Sequence, residues 1–517
     1  MAEPRVVLQE KDLTAAASID ADVYGGAVIY SNRGPTTPTL YSSARRFSEQ
    51  FGNPDPTNSA DRRGKLNVLA FLEAAPCWVT RVINGALYGG VTIEDSVGGG
   101  SAALGVGVSS PDSYAFGSGS DVTMLIVGAN PGEWNDNIRV TISDVSGSDF
   151  KISVDYYSNG SWSTISGEVW ECSKSQTAKD GYGRSKYVED VINGKSEYIY
   201  VVDNTENTNA PEEVTSLQFG GGDDGSSPTV SDYQTAISTM RDTVVDIDIW
   251  FTAGQLVSSE SQSSFINSMA NAAKEHYGIV VADLDDDSRA DAITTVDGWS
   301  IAERSYVSVV YPWLKVTDAL NDSTVEIPAS GYAAARYADV EISGNVWDPH
   351  AGVPNGQISG ALDLSQALST TDRGLLTAAN INPFKIISGS GIVLWDQNTL
   401  QSSTGALKFV TIRRTMSSIE KDAYSFLVQF IHQNNTEFTR LRIERGLTNL
   451  VDSNYKNVPG GGGVKNFRVV CDSSNNTSVT IAQGILYADM YVTPVYPARE
   501  IYYRVFITDE DVYVTQG

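Results

Sequence analysis

A glycine-rich stretch is the first feature of this sequence that could do chemistry. Gly220–Gly225 fits G-x-G-x-x-G after a predicted strand, the pattern with which dinucleotide-binding folds approach a pyrophosphate. Such a site needs a helix that starts at the glycines. Here Asp223 and Asp224 would repel phosphate, and Pro228 delays the next helix. We therefore interpret the stretch as a structural turn and expect no cofactor.

Three alternating carboxylates form the second candidate site. Asp283, Asp285 and Asp287 resemble the start of a calcium-binding EF-hand loop. That loop requires Gly at its sixth position and Glu at its twelfth, which are Ser288 and Thr294 here. We expect a solvated acidic loop after a strand and no dedicated metal site, with incidental weak Ca²⁺ or Mg²⁺ binding left open.

The three histidines of the chain are the remaining candidates for acid–base catalysis. His276, His350 and His432 lie outside any metal-ligand or triad spacing, and the sequence contains no G-x-S-x-G nucleophile elbow. His276 and His432 are each expected at a helix end, where a cation suits the helix dipole. We expect no catalytic residues.

Predicted secondary structure divides the chain into segments of different type. An α/β pattern (strand 27–31, helices Ala44–Phe51 and 65–75, strand 78–83) is followed by a Gly- and Ser-rich linker or long loop from Gly98 to about Ser120. Residues 121–202 are typical of an all-β region. The α/β pattern then resumes as a βαβ unit, with strand 246–252, helix 260–276 and strand 278–283.

The C-terminal part is expected to mix helices and strands. Ser417 and Glu420 form a capping box that predicts a helix over Ser417–Ile431, and a shorter helix follows over Thr436–Val451. Strands are predicted at 466–471, 485–493 and 500–508. The last strand has bulky residues on both faces, so it pairs either within its own domain or with the sheet edge of a neighbour.

Charge is distributed very unevenly along the 517 residues. Residues 86–399 carry 15 Lys and Arg against 43 Asp and Glu, whereas both ends are close to neutral. We expect the middle to face water and the ends to contact other molecules. The acidic balance argues against nucleic-acid binding, and no apolar run is long enough for a membrane helix. Cys77, Cys172 and Cys471 are far apart and fit a reducing compartment without disulfides.

Three arginines crowd into the short predicted helix near the C-terminus. Arg440, Arg442 and Arg445 stand out in an otherwise acidic protein. They are either an ordinary solvated helix face or an electrostatic contact with an acidic neighbour.

Several short motifs, in a fixed order, resemble the contractile tail sheath proteins of myovirus-type bacteriophages. The stretches that carry the resemblance are Val23–Asp55 with its Arg-Gly-Pro, Cys77–Val82, the Pro-Gly-x-Trp-x-Asn turn at 131–137, the Gly220–Gly225 loop, Ile327–Gly352, Asn380–Asn382, Gly391–Leu400, Ile412–Arg414, and the positions Asp472, Asn476, Gly484, Pro494, Pro497 and Glu500. Asp136 and His350 depart from the family pattern.

The resemblance implies a multidomain α/β plus α+β fold with extended arms. The expected parts are an N-terminal connector arm (1–20), an α/β domain of subtilisin-like fold in two pieces (21–90 and 206–350), an inserted β-rich outer domain (91–205), a C-terminal α+β inner domain (351–499) and a C-terminal connector (500–517). No catalytic triad accompanies the subtilisin-like fold in this sequence.

The resemblance also implies a structural role. Sheath subunits stack as hexameric rings around a tail tube, exchange strands with neighbours and contract to drive the tube through the host envelope. The connector residues would be Arg5, Val6, Val7, Leu8, Gln9 and Glu10 at one end and Ile501, Tyr502, Tyr503, Arg504, Val505, Phe506 and Ile507 at the other. Arg440, Arg442 and Arg445 would face the tube.

The implied partners are other copies of the chain, the tail tube protein, and the baseplate and terminator proteins of a virion tail assembled in the host cytoplasm. Neither nucleic acid nor membrane is expected as a partner. Three alternatives stay open: the sheath of a bacterial contractile injection system or tailocin, an α/β enzyme based on the glycine loop and the βαβ unit, and a receptor-binding adhesin.

Overall fold

A computed structural model describes residues 23–97, 104–117, 119–158, 160–244, 246–256, 259–402 and 404–503. The described chain divides into two units. Unit 1 contains residues up to 345 and 350–402, and unit 2 contains 346–349 and 404–503. The predicted C-terminal domain covers 351–499, whereas in the structure 350–402 lie in unit 1, because strands of this segment pair with the sheet of unit 1.

Unit 1 contains nineteen strands and eight helices within the described ranges. The strands are β1 (Gly25–Tyr30), β2 (Thr39–Tyr41), β3 (Cys77–Val82), β4 (Tyr88–Glu94), β5 (Leu104–Val108), β6 (Val122–Gly128), β7 (Ile138–Ser146), β8 (Asp149–Ser158), β9 (Ser161–Ser173), β10 (Ile199–Asp203), β11 (Val214–Gln218), β12 (Ile249–Phe251), β13 (Ile279–Asp283), β14 (Val307–Tyr311), β15 (Leu314–Asp318), β16 (Ser323–Ile327), β17 (Ala361–Leu364), β18 (Ile381–Ile387) and β19 (Gly391–Leu394). The helices are α1 (Ala44–Phe51), α2 (Ser59–Leu72), α3 (Val188–Ile192), α4 (Val230–Thr243), α5 (Ser259–Glu275), α6 (Arg289–Asp297), α7 (Ser330–Ser343) and α8 (Thr370–Ala378).

An eight-stranded sheet in the order β19-β18-β14-β13-β12-β1-β3-β2 forms the body of unit 1. Its six inner strands are parallel, and β2 and β19 at the edges are antiparallel. Continuous burial along β12, β13 and β14 explains their apolar runs, because helices cover both faces of a parallel sheet. Trp250 packs among residues of α4 and α5. The next residue, Phe251, stacks on Phe71 of α2, with 5.0 Å between the ring centroids. The predicted βαβ unit β12–α5–β13 is confirmed.

The inserted domain consists of two antiparallel four-stranded sheets. Their orders are β10-β6-β4-β5 and β11-β7-β8-β9, and one apolar cluster fills the space between them. The predicted linker over 98–120 contains strand β5, which pairs with β4. Glycines weakened the strand signal here. Gly107 is needed because a Cβ would lie 2.7 Å from the carbonyl oxygen of Gly221.

Unit 2 is an α+β arrangement of helices and a small sheet. Its elements are α9 (Val410–Leu427), α10 (Glu437–Val451), β20 (Val464–Val470), α11 (Ser478–Ala482) and β21 (Asp489–Pro494). The predicted helix start at Ser417 is wrong. The helix begins at Val410, and Ser417 is buried in its interior, because the first half of α9 is buried on all sides. A π-helical turn, Asp452–Lys456, continues α10.

The three cysteines are buried and free, and each lies in a different part of the fold. Cys77 is in β3 of the parallel sheet, Cys172 is in β9 of the inserted domain, and Cys471 follows β20 of unit 2. Across the described residues, no helix combines the length and hydropathy that crossing a bilayer requires.

Candidate assembly surface and domain junction

Helix α10 of unit 2 has two faces of different character. Its N-cap Thr436 accepts a hydrogen bond from the Thr439 amide, which satisfies one of the free donors at the helix start. One face is buried at a spacing of four residues, as expected for a helix on a core; its members are Thr439, Ile443, Leu447 and Val451.

The three predicted tube-facing arginines do not lie together. Arg440 is half-buried, and its Nη1 donates to Oδ1 of Asn435 at 2.8 Å. Arg442 and Arg445 are exposed, and the Arg442 guanidinium lies 5.3 Å from the ring centroid of Phe430. The structure therefore separates one arginine with an internal structural contact from two that face outward.

Apolar side chains accompany the two outward arginines on α10. Phe438 and Leu441 are 70% and 39% exposed, and helical spacing places them on the same face as Arg442 and Arg445. We call these four residues the α10 outer face. The apolar half of this face was not predicted from the sequence, although the helical spacing of 438, 441, 442 and 445 is a signal for it.

The end of helix α9 and the single 3-10 turn after it also expose apolar residues. Tyr424, Val428 and Ile431 are exposed and recur at intervals of four and three residues. Phe426 and Phe430 pack in the core of unit 2, but Ile431 is 62% exposed.

Strands β20 and β21 form a sheet of only two strands among the described residues. Its inner face carries the opposed pairs Phe467–Val492 and Val469–Met490, which pack against the helices. Arg468 and Tyr491 face each other on the outer side. Both outer edges consequently present backbone groups that a further strand could pair with.

The predicted connector residues are described only in part. Ile501, Tyr502 and Tyr503 are 87%, 79% and 88% exposed and have no regular secondary structure. The predicted connector residues Arg5–Glu10 and Arg504–Ile507 lie outside the described residues. The connector role of these residues stays a prediction.

A buried arginine joins the parallel sheet to the inserted domain. Arg33, in the loop after β1, is 8% exposed. Its guanidinium lies 4.3 Å from the ring centroid of Trp134, 5.3 Å from that of Tyr156 and 5.0 Å from that of Tyr198. We call this arrangement the Arg33 cage. The three rings belong to the inserted domain, so a cation–π contact crosses the junction.

A second buried arginine lies at the same junction. Arg81 on β3 donates to the backbone carbonyls of Ser31 and Pro131 and is 3.8 Å from the carboxylate of Asp224. Burial lowers the pKa of Arg81 to about 10, an effect that Asp224 opposes. The same burial raises the pKa of Asp224.

The glycine loop is part of this junction. The amide of Leu87 donates to the carbonyl of Asp223 at 2.8 Å, and the Glu133 amide donates to the Asp224 carboxylate at 3.0 Å. Gly225 has φ +75°, and a Cβ on it would lie 2.2 Å from the Asn84 carbonyl oxygen. No helix starts at the glycines, because α4 begins at Val230. The loop is a structural turn, and the motifs at 33–35, 77–82, 131–137 and 220–225 all converge here.

The predicted acidic loop does not bring its carboxylates together. Asp283 is fully buried at the end of β13 and accepts hydrogen bonds from Thr252 Oγ1 at 2.7 Å, from the Gly254 amide at 2.9 Å and from Ser330. Burial raises the pKa of Asp283. Asp285 and Asp287 instead point to solvent. In the ranges that the structure describes, no three His, Cys, Asp or Glu side chains are arranged to hold a metal ion.

The histidines have structural surroundings. His276 directly follows α5, and its Nε2 is 3.0 Å from the carbonyl oxygen of Arg241 in α4. His350 is fully buried and packs on the ring of Tyr337, with 4.8 Å between the ring centroids. His432 is exposed just after the end of α9, with φ +64°.

Comparison with known proteins confirms the family resemblance. Residues 402–508 match the family described as phage tail sheath C-terminal domain. A tail sheath protein of Vibrio phage KVP40 is 25% identical over 358 residues, which are 64% of this chain and 52% of that protein. A putative prophage major tail sheath protein of Pseudomonas aeruginosa is 23% identical over 342 residues, 65% of this chain and 84% of that one. The chain thus spans about half the length of the KVP40 protein.

Solved structures of low sequence identity share the fold. The sheath tail protein Lin1278 from Listeria innocua has a TM-score of 0.57 at 11% identity, covering 88% of this chain and 89% of that one. The PVC sheath complex of an extracellular contractile injection system, in its contracted state, has a TM-score of 0.54 at 14% identity, covering 99% and 98%.

Proposed function

We propose that this relative of the phage tail sheath proteins is a structural subunit of a contractile tail sheath, not an enzyme. The observation that carries the proposal is the two-stranded sheet β20–β21, whose outer edges are unpaired within the described chain, next to a C-terminal segment with three exposed large side chains. Together they supply an acceptor and a donor for strand exchange between copies.

Strand addition would link copies through the backbone. An added strand that makes about five hydrogen bonds, at about 0.5–1.5 kcal/mol net each, gives a modest joint. Repetition over many linked subunits makes the whole assembly strong. In this proposal Arg5–Glu10 and Ile501–Ile507 are the connectors, and neighbouring copies stack as hexameric rings.

The α10 outer face would contact the tail tube. Arg442 and Arg445 supply positive charge, while Phe438 and Leu441 supply apolar area at the same place. This combination suits an acidic partner with an apolar patch. Arg440, the third predicted arginine, instead stabilises unit 2 through Asn435.

The assembly would then be a virion tail in which sheath copies associate with each other, with the tube, and with baseplate and terminator proteins. On a baseplate signal, the sheath would shorten and drive the tube through the host envelope. The second candidate is the sheath of a bacterial contractile injection system, which the shared fold with the PVC sheath favours.

Electron microscopy of the concentrated chain tests the proposal. The full chain should form long hollow tubes with helical striation, while a chain that ends at Glu500 should stay as single particles with the same melting temperature. Equal tube formation by both chains would remove the connector role. Compact particles of the full chain at every concentration would count against the sheath role itself.

A further inference from the structure

A four-residue segment of the chain leaves unit 1 and returns to it. Val346–Pro349 belongs to unit 2, whereas the residues before and after it belong to unit 1. The chain therefore passes between the units three times, at 345–346, at 349–350 and at 403–404. A single linker would have required only the last of these.

Trp347 is the main side chain of this segment, and it packs in unit 2. It lies against the buried cluster that contains Val346, Ile419, Val451, Tyr455 and Val464. Its ring centroid is 5.9 Å from that of Tyr455, and its Nε1 donates to the Gly461 carbonyl at 3.1 Å. The indole thus has both an apolar contact and a specific hydrogen bond.

The slot for Trp347 is shaped by unit 2. Gly463 lines it, and a Cβ there would lie 2.6 Å from the Cβ of Trp347. Tyr455, in the π-helical turn, is held in place because its hydroxyl hydrogen-bonds to Ser418 and to Asp422, both at 2.7 Å. The slot is consequently fixed by side chains from α9 and from the turn after α10.

Both flanks of the segment are held in unit 1. Helix α7 ends at Ser343, just before it. On the other side, His350 is fully buried, and its amide donates to Oε1 of Gln397 at 3.3 Å. A short loop with both ends fixed gives its central side chain a high effective concentration at its slot.

We propose that Val346–Pro349 is an anchor that couples unit 2 to unit 1, with Trp347 as its holding side chain. Force applied to unit 2 is then carried by the anchor as well as by the 403–404 connection. The anchor is a property of the single chain and does not depend on the proposed sheath role.

Cutting the 403–404 connection isolates the anchor's contribution. A protease site placed between Ser402 and Thr404 would be cleaved in the folded chain, and release of the fragment that begins after the cut would be followed by gel filtration. The nicked wild-type chain should retain the fragment. Trp347→Ala should release it about tenfold faster or more, because a large apolar contact is lost.

Three further variants keep the test decisive. Gly463→Ala should release the fragment faster because its new Cβ occupies the space of Trp347, whereas Gly374→Ala in α8, where nothing lies within 4 Å, should behave as wild type. Trp347→Phe takes the place of Trp347→Ala if that variant fails to fold, and it should release the fragment at a rate between those of the wild-type chain and Gly463→Ala. Equal release from the wild-type, Trp347→Phe and Gly463→Ala chains would overturn the anchor.

Discussion

The guanidinium of Arg33 lies over the ring of Trp134, with 4.3 Å from its central carbon to the ring centroid. Arg33 comes from the loop after the first strand of the parallel sheet, and Trp134 comes from the turn before β7 in the inserted domain. Because the arginine is 8% exposed, its attraction to the aromatic rings is little weakened by water. This contact is one of several that join the inserted domain to the parallel sheet within unit 1.

Removing the arginine should loosen that body. We expect Arg33→Ala to lower the free energy of unfolding by about 2–4 kcal/mol, since both the cation–π contact and buried packing are lost. Arg33→Lys should lose less because it keeps the charge. Urea unfolding followed by tryptophan fluorescence would measure this. Arg184→Ala is the control, because Arg184 is exposed over Tyr182 at 5.3 Å; an equal loss in both alanine variants would contradict the prediction.

The buried carboxyl of Asp283 should give stability a definite pH dependence. Burial raises its pKa above the usual 3.8, so the folded chain binds this proton more tightly than the unfolded chain. Its contribution is fully present below pH 3.8 and is lost as pH rises through the raised pKa. The free energy of unfolding of the wild-type chain should therefore fall as pH rises through the pKa of Asp283. Asp283→Asn should abolish this fall, as measured by urea unfolding at a series of pH values.

Asp372 provides a control of opposite sign. Hydrogen bonds from Ser369 at the start of α8 lower the pKa of Asp372 below its usual 3.8. Its contribution is present above pH 3.8 and is lost as pH falls through the lowered pKa. The wild-type chain should lose this contribution to its free energy of unfolding at acid pH, and Asp372→Asn should abolish that loss. Identical pH profiles for the wild-type chain and Asp283→Asn would show that the Asp283 proton is not linked to folding.

The arginines of α10 should differ in what their reversal does. Arg442→Glu with Arg445→Glu should lower the free energy of unfolding by about 1 kcal/mol or less, because both side chains are exposed and the contact of Arg442 with Phe430 is an exposed cation–π contact. The pair should nevertheless reduce assembly on tubes. Arg440→Glu should lower the melting temperature, because it removes the bond to Asn435. Calorimetry and electron microscopy of both variants would distinguish the roles, and a double variant destabilised by more than about 1 kcal/mol would refute the assignment.

Packing of α9 on α10 depends on a glycine. A Cβ on Gly446 would lie 2.0 Å from the ring of Phe426, so the helices approach closely at this point. We expect Gly446→Ala to destabilise unit 2 by about 1–3 kcal/mol through overpacking, despite the higher helix propensity of alanine. Chemical unfolding would measure it, with Gly374→Ala in α8 as the matched control. Unchanged stability of Gly446→Ala would mean that Phe426 moves aside at little cost.

Local patterns were sufficient for some elements and insufficient for others. The βαβ unit could be predicted because residues 279–282 of β13 form a buried apolar run and α5 has a regular helical pattern. The start of α9 could not, because burial of Ser417 by the surrounding fold overrides its capping tendency. β5 was missed because glycines are poor strand formers, and here they are required by the close approach of another loop.

The sites were predicted less completely than the elements. The arginines of α10 were found as a cluster, but their separation into Arg440 and the outward pair depends on helical phase and on Asn435. The Arg33 cage was beyond sequence reasoning, because its residues come from distant parts of the chain and meet only in the folded protein. Trp347 lies in one of the stretches that carry the family resemblance. Nothing in the neighbouring sequence indicates that it belongs to unit 2 while the residues on both sides belong to unit 1.

The buried thiols make the protein suitable for site-resolved chemical labelling. Cys77, Cys172 and Cys471 report on the parallel sheet, the inserted domain and unit 2, one each. Burial raises the pKa of Cys172 to about 12 and that of Cys471 to about 11, so neither reacts readily as a thiolate while folded. Alkylation followed by peptide mass spectrometry would therefore record, from the native sequence without any engineered probe, the order in which the three parts open.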